Sequence, residues 1–319
     1  MKSTLLIGEP MGLLAARETG PFDEVSSWDF FTAGAEMNVA IGISRLGQPV
    51  SYITKLGTDP FGSKIIKALQ ANGIDTSLIT FSDDRKTGFM LKSRADEGDP
   101  EIYYYRKGSA ASTLNTDDIE KLDLTDADWI HATGITPALT EETRSAIRRL
   151  EKKAHEEGLK FSFDPNLRPQ LWNSTQEMAD FMNEMAAKSD IFMPGIKECE
   201  ICIGKTDPEE AAQTYLDQGC PCVIIKLGGD GAYYATKTES GYVPGFKVEN
   251  IVDTVGAGDG FAAGVVSALK EGLPLDQAVL RGNAIGAIQL TSKSDNEGLP
   301  TREELDAFMA GDPDWRKTK

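Results

Sequence analysis

Short apolar runs alternate with amphipathic stretches along most of this chain, and that alternation restricts the fold more than any other feature. Strand-like runs lie at residues 4–8, 50–55, 129–133, 160–164, 190–193 and 222–227. The stretches between them carry helix-start signals. Asp59 followed by Pro60 predicts a capped helix over residues 61–72. Ser174 with Glu177, and Thr301 with Glu304, have the spacing of a capping box. Thr140 opens a helix that runs to about His155 and ends at Gly158. Such alternation implies an α/β fold, a mostly parallel sheet flanked by helices on both faces, with ligands at the carboxyl ends of the strands.

Two segments break the rhythm. Residues 11–32 mix polar and apolar side chains, with Gly12, Gly20 and Pro21 as breakers. Residues 87–107 hold two β-prone runs, at 88–94 and 101–106, joined by Asp96-Glu97-Gly98-Asp99-Pro100. Together they are expected to form a small β-sheet lid over the active edge, inserted in a single domain spanning residues 1–319.

Charge narrows the function. With 33 basic and 50 acidic side chains the net charge is −17. This surface is expected to avoid nucleic acid and anionic membrane, which require clustered Lys and Arg. A small anionic substrate would need a local basic pocket. No apolar run approaches the roughly 18 residues of a membrane span, and no signal-peptide core follows Lys2, so a cytoplasmic location is expected. Cys199 and Cys202 have a metal or redox spacing, but they fall in a helical stretch. Cys220 and Cys222 flank a Val/Ile strand, and both histidines are distant in sequence. Free structural thiols are the expectation.

Chemistry concentrates in Asp253-Thr254-Val255-Gly256-Ala257-Gly258-Asp259-Gly260-Phe261, just before an apolar helical run over 261–269. Glycines ahead of a helix leave backbone N–H groups open toward one point, and the helix dipole favours negative charge there. Such a turn suits a transferring phosphoryl group, and Asp259 in the same turn can take the proton of an attacking hydroxyl. Glycines that merely allow tight packing are the plainer alternative. A Walker loop is excluded because Asp-Gly-Phe stands where Lys-Ser/Thr is required, and a Rossmann fingerprint fails at Phe261.

This stretch resembles the C-terminal signature of the ribokinase, or PfkB, family of carbohydrate kinases, Asp-Thr-x-Gly-Ala-Gly-Asp-x-Phe, at every defined position. The family's N-terminal signature is matched at Gly34, Asn38, Ala40, Gly47 and Gly57, and the resemblance runs nearly end to end. It implies a Rossmann-like (ribokinase-like) core with a β lid, ATP as donor, Mg2+, and K+ near Asp253. By position, Gly256, Ala257 and Gly258 would form the anion hole, with Asp259 as the base. Lys226, Gly228, Gly231, Asn283 and Glu198 would face the nucleotide. Gly195 stands where the family usually has the asparagine of an Asn-x-x-Glu pair, although Glu198 is retained.

Within the family, Tyr104 and Arg106 on the second lid run, Ile135, and Arg168 after the strand at 160–164 resemble the members that act on 2-keto-3-deoxygluconate. With Gly34 and Asn38 these would line the sugar site. Two guanidiniums facing one pocket favour a carboxylate. Met90 replaces an aromatic hydroxyl common on the first lid run. The resemblance therefore implies phosphorylation of this sugar acid at its terminal hydroxyl, and pairing of two copies through the lid. Fructose, ribose or 5-keto-2-deoxygluconate as substrate, and a sugar-binding regulator without catalysis, are the rival readings.

Overall fold

A computed structural model describes residues 1–94, 100–292 and 296–316, so the expected turn at 96–99 lies outside the described residues. The chain opens with β1 (Ser3–Ile7), β2 (Met11–Ala16), β3 (Trp28–Ala33) and α1 (Ala35–Arg45). Next come β4 (Val50–Gly57), α2 (Pro60–Ala71), β5 (Ile79–Ser82), β6 (Phe89–Lys92) and β7 (Ile102–Tyr105). The middle of the chain gives α3 (Thr116–Glu120), β8 (Ala127–Thr133), α4 (Glu141–Glu156), β9 (Lys160–Asp164), α5 (Thr175–Lys188) and β10 (Ile191–Phe192). It continues with α6 (Ile196–Ile203), α7 (Pro208–Asp217), β11 (Cys222–Lys226), β12 (Gly231–Thr236) and β13 (Ser240–Pro244). The last described helices are α8 (Ala257–Lys270), α9 (Leu275–Gln289) and α10 (Arg302–Met309).

Nine strands form one sheet in the order β13-β12-β11-β10-β9-β8-β1-β4-β5. All neighbours from β11 to β5 are parallel, and β12 and β13 add antiparallel at one edge. Alternate side chains explain the two-faced core. Leu5 and Ile7 of β1 join Ile130, Phe161 and Phe163 on one side, under the helices of the chain's middle. Leu6 joins Tyr52, Trp129 and Ile224 on the other, with apolar residues of α1, α8 and α9. Helices α1 and α8 pack closely because Gly42 has no Cβ; one there would stand 2.7 Å from the Cβ of Ala263.

A second sheet has the order β3-β2-β6-β7. Met11, Leu13, Ala33 and Met90 form its own apolar cluster. Its tie to the large sheet is aromatic: Phe61 of α2 stacks on Phe89, which stacks on Tyr105, at 4.8 and 4.7 Å between centroids. Gly12 makes room for Phe61, whose ring atom would lie 2.1 Å from an added Cβ.

The parallel α/β sheet read from the alternation is present, with corrections in detail. Helix α8 begins at Ala257, before the expected run at 261, which puts Asp259 inside its first turn. Strand β10 has two residues where four were expected. Ser174 accepts the Glu177 N–H, but the Glu177 carboxylate turns to Arg144 and Asn173 and not back to the cap. Strands β5, β12 and β13 were not anticipated. The turn between β12 and β13 carries no glycine, proline or asparagine; the hydroxyl of Thr236 holds it by accepting the Thr238 and Glu239 N–H groups. The four cysteines are free, and burial pushes each thiol up to about 12, so none is a thiolate at neutral pH. Among the described residues, no helix is long and apolar enough to cross a membrane.

Candidate active site

A cavity of about 500 Å³ opens at the carboxyl ends of β1, β8, β9 and β11, between the large sheet and the small one. At its floor is Asp259. Gly256, in left-handed conformation (φ 79°), turns the chain into α8 and leaves the helix start without a side-chain cap. Asp259 therefore shares its turn with open amides and the positive end of the helix dipole. Its Oδ2 accepts from Asn38 Nδ2 at 2.8 Å, and its Oδ1 from Asn166 Nδ2 at 3.3 Å. Burial pushes its carboxyl up to about 7, and the nearby Asp164 and Glu36 add to the rise. The Asn38 hydrogen bond and the Arg168 charge oppose it.

Two buried carboxylates are spoken for by neighbours. Lys226, at the end of β11, donates to Asp164 Oδ2 at 2.6 Å, and its charge also faces Glu198 and Asp259. A Cβ on Gly258 would meet only the Lys226 ammonium, at 3.9 Å, so this lysine looks onto the open turn. Glu198 accepts the Gly195 N–H at 2.7 Å and the Leu167 N–H at 2.8 Å. It thereby clamps the start of α6 to the loop after β9. Gly195, where an asparagine was expected, acts as the cap of α6 through its backbone.

The two arginines differ. Arg106 is 8% exposed and pairs with Glu9, its Nε donating to Oε2 at 2.7 Å. Ser109 donates to the other oxygen of Glu9, and the Arg106 guanidinium also stands over the Tyr104 ring. Among the described residues, Arg168 donates only to the carbonyls of Leu167 and Asn166, at 2.9 and 3.4 Å. Both guanidiniums face the cavity, as expected, but Arg106 is held in an ion pair and Arg168 has none among the described residues. Glu36, in the first turn of α1, accepts from Thr133 at 2.6 Å and from Thr136 at 3.3 Å, and burial holds its carboxyl above the usual range. Thr133 also receives the Ile135 N–H.

The cavity brings together Gly34, Asn38, Tyr104, Arg106, Ile135, Arg168, Glu198, Lys226, Gly256, Gly258 and Asp259. Gly228, Gly231, Asn283, Asp253 and Ala257 do not line it. The first three cluster beyond Lys226. Gly231 (φ 103°) lies against β13, where an added Cβ would stand 2.1 Å from the Val243 carbonyl. Asn283 of α9 donates to the Val243 and Pro244 carbonyls at 3.0 and 3.2 Å. Asp253, expected beside K+, accepts the Val255 N–H at 3.1 Å and the Lys92 ammonium at 3.0 Å.

Glu9, Glu36, Lys92, Asp164 and Asn166 also line the cavity, and sequence reasoning had not assigned them roles. Asp164 and Asn166 carried a usable signal, since both fall at a strand end, and Asn166 adopts φ 40°, which asparagine tolerates. Nothing distinguishes Glu9 in sequence from a solvated glutamate.

The sequence profile of the pfkB family of carbohydrate kinases matches residues 1–302. The chain is 44% identical over 304 residues to a 2-dehydro-3-deoxygluconokinase of Bacillus subtilis, covering 95% of this chain and 94% of that one. A crystal structure of a PfkB protein from Polaromonas sp. superposes with a TM-score of 0.89 at 42% identity, covering 96% of this chain and 100% of that one. An E. coli structure in complex with ATP and Mg2+ gives 0.88 at 27%, covering 98% and 100%. A fructokinase double mutant from Vibrio cholerae, in its fructose-, ADP- and potassium-bound form, gives 0.84 at 26%, covering 96% and 98%.

Proposed function

The chain belongs to the pfkB family of carbohydrate kinases, and from that premise we propose that it transfers the γ-phosphate of ATP to the terminal hydroxyl of 2-keto-3-deoxygluconate. One observation carries this reading: the buried Asp259, held by Asn38 and Asn166, shares its cavity with Arg168, a guanidinium without a carboxylate partner among the described residues. The first group is placed to accept a hydroxyl proton and the second to meet an acid.

The two asparagines fix the Asp259 carboxylate, so it needs no reorientation when the sugar hydroxyl arrives. With its carboxyl pushed up to about 7, Asp259 can accept a proton near neutral pH as the hydroxyl attacks phosphorus. Open amides of the Gly256, Ala257 and Gly258 turn receive the charge that develops on the phosphoryl oxygens, and Lys226 adds its own from the opposite wall. Arg168, with Arg106, Tyr104, Ile135 and Gly34, would seat the sugar acid. Gly228, Gly231 and Asn283 shape the ground for the nucleotide beyond Lys226. Mg2+ would neutralise phosphate charge beside Glu198, whose oxygens accept only backbone N–H groups among the described residues. The small sheet acts as a lid that keeps water from the phosphoryl group. Its Tyr103 and Tyr105, each about half exposed, offer a face on which two copies could pair.

The test is ATP consumption with 2-keto-3-deoxygluconate beside fructose, ribose and 5-keto-2-deoxygluconate. Selective turnover of the first is expected. Turnover of fructose or ribose alone would remove the acid-sugar reading while leaving the kinase.

A further inference from the structure

A monovalent cation beside Asp253 is what the family resemblance implies, and the residues here do not fit one. One Asp253 oxygen accepts the Val255 N–H, and the other meets the Lys92 ammonium at 3.0 Å. Both side chains are largely buried, 12% and 19% exposed. A K+ ion on this carboxylate would stand against an ammonium already in contact with it, and like charges at such separation repel strongly when screened from water.

We propose that Lys92 supplies, from the small sheet, the positive charge that a bound monovalent cation would otherwise bring to Asp253. Asp253 opens the turn that leads through Thr254 and Val255 to Gly256. Its carboxylate shapes that turn by taking the Val255 N–H, and a charge drawn away from water is costly without a counter-charge beside it. Lys92 provides one from the end of β6, where the strand is fixed in register with Ala15 of β2 and Ile102 of β7. Potassium and ammonium carry the same charge, but the ammonium is tethered. The turn is therefore organised when the small sheet is in place, whatever salt is present. Lys92 is a positioning residue on this account and touches no reacting atom.

The proposal rests on the kinase reading but not on which sugar is used. Wild-type rates should agree within about twofold between KCl and tetramethylammonium chloride at constant ionic strength. Lys92→Met should lose about 10²-fold in the tetramethylammonium salt, the order of losing one charge-stabilising group, and regain about tenfold when KCl replaces it. Lys92→Arg, which keeps a cation, should stay indifferent to the salt. The melting temperature of Lys92→Met should rise in KCl relative to the tetramethylammonium salt while that of the wild type does not, a readout that needs neither sugar nor turnover. A wild type activated tenfold or more by K+, measurable even if the variant fails to fold, would overturn the proposal. So would a Lys92→Met enzyme that is slow in both salts, or fast in both.

Discussion

The two ends of the cleft are built on different plans. At the end proposed for the sugar, side chains from remote parts of the chain hold one another. Glu9 grips Arg106 and Ser109, Glu36 takes Thr133 and Thr136, and Asn38 and Asn166 share Asp259. At the end proposed for the nucleotide the shape is mostly backbone. Gly229 and Gly231 fold against the Val243 to Gly245 segment, and Asn283 ties that segment to α9. Nearby, Ile251, Val252 and Val255 leave apolar side chains exposed. On the proposed reading the first end is preorganised to place one proton acceptor, whereas the second offers the nucleotide a surface to lie on. Changes at the first should fall on turnover, and changes at the second on nucleotide affinity and stability.

The sharpest break of that contrast is Asp259→Asn. It should lower kcat by about 10²–10⁴, the range for a lost general base, with the KM for ATP little changed. Steady-state rates check this, and near wild-type turnover would sink the assignment. The same variant tests the cost of the design. A carboxyl raised to about 7 in the folded state loses stability as pH rises from the unfolded value, near 4, through 7. Thermal melts above pH 7 should therefore find Asp259→Asn at least as stable as the wild type.

Next in size is Arg168→Ala, expected to reduce kcat/KM for the sugar acid by about 10- to 100-fold through loss of a charge-assisted contact. Any activity on a neutral sugar, measured in parallel, should hardly move. At the nucleotide end, Gly231→Ala sets a Cβ against the Val243 carbonyl at a backbone angle suited to glycine. Roughly 1–3 kcal/mol of stability should be lost, with a raised KM for ATP. Denaturant unfolding and ATP titration would read the two parts separately. The mildest is Asn38→Ala. Its amide holds the Asp259 carboxyl down, so its removal should move the acidic limb of the kcat/KM profile to higher pH. A limb that stays in place would mean that Asn166 alone sets the base.

The same contrast explains what the sequence disclosed. Periodicity located every parallel strand except β5, because side chains buried on both faces must be apolar. The glycine turn and Asp259 were legible because a left-handed residue and an uncapped helix start demand particular residues. Strand β5 escaped because Thr80 and Phe81 face solvent, and the β12–β13 hairpin because its turn is held by a threonine hydroxyl. Arg106 and Arg168 were readable as charges near the cavity, but their difference was not. That difference depends on Glu9, 97 positions from Arg106, and no local pattern encodes a partner so far away. Lys92 was hidden for the same reason, since its carboxylate lies 161 positions on.

The hydrogen bond between Asn38 and Asp259 spans 221 positions. During synthesis, α1, the small sheet and most strands of the large one leave the ribosome well before α8 does. Until α8 arrives, Gly42 faces no Ala263, and the apolar side of α1 waits for its cover. Folding of the N-terminal half can begin early, as chains of this size commonly fold in stages. Its catalytic competence cannot. On the proposed mechanism, a nascent or prematurely ended chain without α8 lacks the proton acceptor, the open amides and the packing that seats them together. Such a fragment could not hydrolyse ATP to no purpose.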